Sequence, residues 1–233
     1  MDTFLDGKVA VVTGGTRGIG RAIAEALVGC GASVAICGRS EAGVGKAAGE
    51  LGPKVVGKAA DVSNPEEVRA FFEFVEERLG GLDILVNNAG VGSFASVAET
   101  SLENWQRTIG TNLNGAFYCS REALPRFRKR GGGFIVNISS LAAKNAFAGG
   151  AAYNASKFGL NGFSEAMMLD HRYENVRVSS IMPGSVATEF GSLGAADWKV
   201  APQDVAEIVL SVLRMPARTL ISRVEVRPTK PKK

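Results

Sequence analysis

Apolar residues fall into two kinds of run that alternate from residue 8 to residue 226. Short β-branched blocks at Lys8–Thr13, Ser33–Cys37, Lys54–Lys58, Leu82–Asn87, Gly133–Ile138, Val176–Met182 and Leu220–Val226 predict seven strands of the buried type. Between them the period is helical. Ile23, Ala26, Leu27 and Cys30 mark a helix over Arg21–Cys30, and Glu41–Leu51 a weaker one broken by glycine. Val68, Phe71, Phe72, Val75 and Leu79 make one apolar stripe. Asn64 as cap, Pro65 at the first helical position and Glu67 three residues after the cap open that helix. Ser101–Arg130 reads as one long helix, followed by Ala152–Arg172 and Pro202–Leu213.

Buried strands alternating with helices predict a parallel sheet covered on both faces. No linker or repeat divides the chain, so the expectation is one α/β domain over 1–226, a doubly wound Rossmann-type sheet of seven strands, with a basic tail over 227–233. A ligand of such a sheet lies at the carboxyl ends of its strands.

Composition narrows the function. Glycine makes up 29 of 233 residues, about 12% against a usual ~7%, which suggests a ligand held by main chain. The 27 Lys and Arg exceed the 23 Asp and Glu by four, and the tail alone holds four basic residues, so 1–226 is neutral. Nucleic-acid binding needs clustered cations on one face and is not expected. Cys30, Cys37 and Cys119 have neither pairing nor metal-ligand spacing, so no metal site is expected. The N-terminus lacks the apolar core of a signal peptide and no run reaches the ~20 residues of a membrane span, which predicts a cytoplasmic protein with no membrane association.

Thr13-Gly14-Gly15-Thr16-Arg17-Gly18-Ile19-Gly20 follows the first strand and feeds a helix. Glycines there let backbone N–H groups approach a pyrophosphate, and the helix dipole favours its charge. The spacing is not G-x-G-x-x-G, and alone the loop reads equally as an ordinary strand-to-helix turn. It does match T-G-x-x-x-G-[IL]-G. Further along come Asn87-Asn88-Ala89-Gly90, Asn112, Ser140, Tyr153-x-x-x-Lys157, and Pro183-Gly184 with Thr188, each on a strand end or helix. Together they resemble the short-chain dehydrogenase/reductase family over residues 8 to about 190, in its short single-domain branch, close to 3-oxoacyl-acyl-carrier-protein reductases.

Tyr153 and Lys157, four apart on a helix, share a face. A phenol titrates near ~10 and a neighbouring ammonium stabilises its anion, so the pair predicts a tyrosine lowered toward neutrality. The resemblance implies that Ser140 donates to the substrate carbonyl oxygen, Tyr153 protonates it as hydride arrives, Lys157 also holds the nicotinamide ribose, and Asn112 anchors a relay water. Ser139 is the rival of Ser140, and the thirteen-residue spacing to Tyr153 selects Ser140. Asn112 is an oddity within a helix, because its amide competes for backbone groups.

An NAD site places a carboxylate at the end of the second strand, whereas a cation there suits a 2′-phosphate. The stretch is Cys37-Gly38-Arg39-Ser40, so Arg39 with Arg17 predicts an NADP(H) clamp, with Glu41 as the competing carboxylate. Asp61 and Val62 resemble the family's adenine contact. The cofactor set is completed by Gly14, Thr16, Gly18, Ile19, Gly20, Asn88, Ala89, Gly90, Pro183, Gly184, Val186 and Thr188.

Val91, Phe94, Phe147, Val186, Phe190, Leu193 and Trp198 predict an apolar substrate wall, against Lys144, Asp197 and Lys199; Lys144 is placed to reach its mouth. The expected activity is NADPH-dependent reduction of a ketone or 3-oxoacyl thioester. Arg126, Arg128, Lys129 and Arg130 read either as complement to a helix C-terminus or as a dock for an acyl carrier protein. A homodimer or homotetramer is implied by the resemblance. His171 is assigned no role. The rival class is a non-catalytic dinucleotide-binding regulator, which has no need of the Ser140, Tyr153, Lys157 and Asn112 set.

Overall fold

The computed structural model describes residues 3–190 and 196–231. In chain order the elements are β1 (Val9–Thr13), α1 (Gly18–Gly29), β2 (Ser33–Gly38), α2 (Glu41–Leu51), β3 (Val55–Ala59), α3 (Pro65–Leu79), β4 (Ile84–Asn87) and α4 (Leu102–Ile109). A π-helical turn (Gly110–Asn114) follows, then α5 (Gly115–Arg130), β5 (Gly133–Ile138), α6 (Ala151–His171), β6 (Val176–Pro183), α7 (Pro202–Leu213) and β7 (Arg223–Val226). The seven strands form one sheet in the order β3-β2-β1-β4-β5-β6-β7, and every pairing is parallel.

Strand composition sets the layering. β1 and β4 are buried along their whole length, so each alternate side chain enters a different core. On one face Val12, Ile36 and Val86 pack with Ile23 and Leu27 of α1, Val44 of α2 and Val209 of α7. On the other, Val11, Leu85 and Ile135 pack with Phe71 and Phe72 of α3, Phe127 of α5 and Met167 of α6. The apolar stripe of α3 is thus core, and its cap forms as expected: Asn64 Oδ1 accepts from the backbone N–H groups of Glu66 and Glu67. Gly80, at φ 77°, ends the helix in the left-handed region. Among the described residues no helix is long and apolar enough to cross a membrane.

Three expectations are corrected. The long helix over Ser101–Arg130 is divided by the π turn, because Asn112 within it turns its amide outward to another segment. The first helix begins at Gly18 rather than Arg21, the glycine loop itself supplying its first turn. The last strand starts at Arg223, since only β6 is available to pair with it at the sheet edge.

Candidate active site

β1 is flanked by β2 and β4, so its chain leaves to one side while a later crossover fills the other. A crevice opens at such a switch point. Its walls are bonded together: Thr13 Oγ1 accepts from the N–H groups of Asn88 and Ala89, each at 3.0 Å. Asn88 Nδ2 donates to the carbonyls of Thr13 at 2.9 Å and Gly14 at 3.2 Å. Gly14 and Gly18 hold φ of 64° and 55°, where other residues are strained. The loop reaches α1 with no side-chain cap and no acid in the first turn, which leaves its N–H groups and dipole directed at an anion. A Cβ on Gly20 would stand 2.4 Å from both Asn88 Nδ2 and the Gly14 carbonyl oxygen. Gly20→Ala is therefore expected to weaken dinucleotide binding by more than about tenfold, about 1.4 kcal/mol, and to lower Tm; cofactor titration and thermal melting check both.

Gly38, at the end of β2, lies against Thr16, where a Cβ would sit 3.1 Å from the threonine methyl. That contact brings exposed Arg39 beside the loop that carries Arg17 and half-buried Thr16 and Ile19. Arg17 Nη1 itself bonds Glu189 Oε2 at 2.9 Å across the crevice. Asp61 Oδ1 accepts from the N–H and hydroxyl of Ser63, and Val62 packs its side chain against Gly115.

Ser140 follows β5, and Tyr153 and Lys157 lie on α6. Ser140 Oγ accepts from the Ala142 N–H at 3.1 Å and donates to the Pro183 carbonyl at 3.5 Å, and it stands near enough to the Tyr153 phenol to act on its pKa. Lys157 is buried beneath the tyrosine, its ammonium 5.7 Å from the ring centroid and donating to the Ile138 carbonyl at 2.9 Å. Ser139, the rival serine, is buried with no hydrogen-bond partner for its hydroxyl. Asn112 bonds both backbone groups of Val91, accepting at 2.8 Å and donating at 3.0 Å, and donates to Ser156 Oγ at 3.0 Å. It thereby ties the segment after β4 to the tyrosine helix, and Gly90 lies against its amide. A π turn, which lifts backbone groups out of the regular ladder, often marks a functional site.

The electrostatics depart from expectation. Burial raises the Tyr153 phenol above its ordinary value, and the Ser140 hydroxyl opposes this only in part. Lys157 does not pull it down, because burial has lowered its own pKa from 10.5 to about 8. The pair is a mutually desolvated couple in which neither charge is favoured.

A family model described as short chain dehydrogenase matches residues 8–196. The chain belongs to this family. Among its relatives is a 3beta-hydroxysteroid dehydrogenase of Mediterraneibacter gnavus, 38% identical over 205 residues, 86% of this chain and 74% of that one. An alcohol dehydrogenase from the archaeon Thermococcus sibiricus, solved with 5-hydroxy-NADP, superposes with a TM-score of 0.90 at 30% identity over 97% of this chain and 99% of that one. A 3-ketoacyl-(acyl-carrier-protein) reductase from Brucella melitensis, solved with NADH, gives 0.89 at 28% identity, covering 96% and 97%. This short-chain dehydrogenase is thus an oxidoreductase of CH–OH groups with a nicotinamide dinucleotide as its partner in hydride exchange.

The remaining walls come from the segment after β6. Gly184 donates to the Val226 carbonyl at 2.8 Å, anchoring Pro183 and Gly184 to β7. Val186 bridges Val200, so the chain leaves this wall and returns to it at one place, and Thr188 rests on Gly18. Leu193 lies outside the described residues. Lys144 does not reach the substrate mouth: it pairs with Glu225 of β7 at 2.6 Å, a carboxylate also held by Arg227. The basic cluster is largely matched within the chain. Arg126 is buried and pairs with Glu76 and Glu122, Lys129 with Glu76, and Arg128 with Glu174, which also bonds His171. Sequence reasoning missed Thr13 and Ser156 as positioning groups, Gly15, whose Cβ would meet Ile36 at 2.7 Å, and Glu189. Gly15 carried a local signal as a second glycine in the loop, and Thr13 as the first residue of its motif; Ser156 and Glu189 carried none.

Proposed function

We propose that the protein is an NADPH-dependent carbonyl reductase of apolar ketones or acyl thioesters, with Ser140, Tyr153 and Lys157 as catalytic residues and Asn112 as the group that positions the proton relay. The observation that carries this is the convergence of the Ser140 and Tyr153 hydroxyls above a buried Lys157, at the strand ends that adjoin an uncapped helix and its glycine loop. Gly14, Thr16, Gly18, Ile19 and Gly20 would hold the pyrophosphate, and Asn88, Ala89, Gly90, Pro183, Gly184, Val186 and Thr188 the nicotinamide half. When bound there, the dinucleotide would supply the hydride that reduces the carbonyl carbon. The two hydroxyls hold the carbonyl oxygen, and Tyr153 delivers its proton there as negative charge develops. Lys157 then returns a proton toward the phenolate, aided by a depressed pKa of about 8 that makes it a ready donor. NADPH oxidation across ketones, quinones and 3-oxoacyl thioesters tests the reading, and reduction of polyhydroxylated sugars alone would refute it.

Exposed Arg39 at the end of β2, with no acid there and with Arg17 in the adjoining loop, supports NADP(H) over NAD(H). Asp61 and Val62 would frame the adenine. Titration should give NADPH at least about tenfold tighter than NADH, about 1.4 kcal/mol. Arg39→Asp should reverse the order, and equal wild-type affinities would remove Arg39 from the argument. Self-association as a homodimer or homotetramer is supported by half-exposed Phe117 and Phe158 on α5 and α6. An acyl carrier protein finds less support, because most of the basic cluster already faces carboxylates.

A further inference from the structure

Three phenylalanines from three different loops surround the Tyr153 ring. Phe94 stands 5.6 Å away, Phe190 5.9 Å and Phe147 6.5 Å between centroids, and Phe94 and Phe147 are 5.8 Å apart. All four pairs are tilted or edge-on, at 49–69°. The three rings are exposed by 43–50%, an unusual cost for rings beside a half-buried tyrosine unless a ligand covers them. Their positions are built into the backbone. Ala95 bridges Gly150, joining the segments that carry Phe94 and Phe147. Asn154, next to Tyr153, donates to the Phe147 carbonyl at 3.0 Å. The Phe147 ring lies on Gly150, and the rings of Phe94 and Phe190 meet over Gly92; a Cβ on either glycine would enter these rings at 2.5–3.0 Å. Lys144, three residues before Phe147, is drawn away by Glu225.

An aliphatic wall would serve any apolar ketone equally. Tilted, half-exposed aromatic rings reward a further ring selectively, because quadrupoles favour edge-to-face contact beyond the area buried. We propose that the substrate carries an aromatic ring directly on its carbonyl carbon and that Phe94 and Phe147 recognise it. This rests on the carbonyl-reductase reading and narrows its substrate class to aryl ketones. With the carbonyl oxygen on the Ser140 and Tyr153 hydroxyls, a ring one bond from the carbonyl carbon falls among the aromatic side chains, whereas a longer tether carries it past them.

Acetophenone and cyclohexyl methyl ketone share a methyl, a carbonyl and a six-membered ring, and differ in aromaticity. Conjugation changes their intrinsic reactivity, so the readout is how the ratio of their kcat/KM values changes between the wild type and the variants Phe94→Leu and Phe147→Leu. Each substitution is expected to lower the aryl-to-cyclohexyl ratio by about three- to tenfold, with NADPH binding by fluorescence as the folding control. An unchanged ratio, or equal loss on both ketones, would overturn the proposal while leaving carbonyl reduction standing; the wall would then serve saturated rings, such as a steroid nucleus, equally well. No turnover of either ketone by wild-type enzyme that binds NADPH would overturn the aryl-ketone proposal, and carbonyl reduction would then be decided by the quinones and 3-oxoacyl thioesters.

Discussion

Tyr153→Phe is expected to lower kcat by about 10² to 10⁴ while NADPH binding survives. The substitution keeps the ring, and with it the contacts to Phe94, Phe147 and Phe190, so the wall around the substrate is retained. What disappears is the hydroxyl beside Ser140. Ser140 can still hold a carbonyl oxygen, but a serine hydroxyl with no base behind it is a poor proton source near neutrality. The ammonium of Lys157 is bonded to the Ile138 carbonyl and lies behind the tyrosine ring rather than at the substrate. Single-turnover kinetics with bound NADPH separate this loss from cofactor effects. A variant with near-normal turnover would show that the proton comes from elsewhere.

Lys157→Met is expected to abolish most activity and yet raise Tm. Burial holds the lysine at about 8 in the folded protein against an ordinary 10.5, so the folded state binds its proton less readily than the unfolded one. The sign follows: below about pH 8 the protein carries the full penalty of a buried ammonium, and stability recovers as pH rises from about 8 toward 10.5. The shift corresponds to about 3 kcal/mol. Methionine fills a similar volume with no charge, but leaves the Ile138 carbonyl without its donor, which costs about 1 kcal/mol or more. A net gain of about 1–2 kcal/mol translates to roughly 2–8 °C at this chain length. Activity should fall at least about a hundredfold, because one side chain would serve both the proposed proton path and the cofactor ribose. The variant should also lose the rise in stability between pH 8 and 10.5. A lower Tm at neutral pH would mean that the ammonium stabilises this site, reversing the stability–activity conflict inferred here.

Features governed by neighbours a few residues apart were legible before any coordinates. The β-branched blocks became strands, the stripe from Val68 to Leu79 became the buried face of α3, and Asn64-Pro65 opened that helix, since periodicity and capping are local. The glycine loop and the Tyr153–Lys157 pair, four apart on α6, belong to the same class. Tertiary structure decided the rest. Asn112 bends its helix into a π turn because its amide is bonded to Val91, 21 residues away. Thr13 and Asn88 join the crevice walls across 75 residues, and Arg17 meets Glu189 across 172. Lys144 turned from the substrate because Glu225, 81 residues on, lies within its reach. The pKa of Tyr153 moved opposite to the expectation from its sequence neighbour, because spacing reveals which charge is near but not how much water remains. Desolvation is set by chain segments that only the completed fold brings together, and here it outweighs the local pairing.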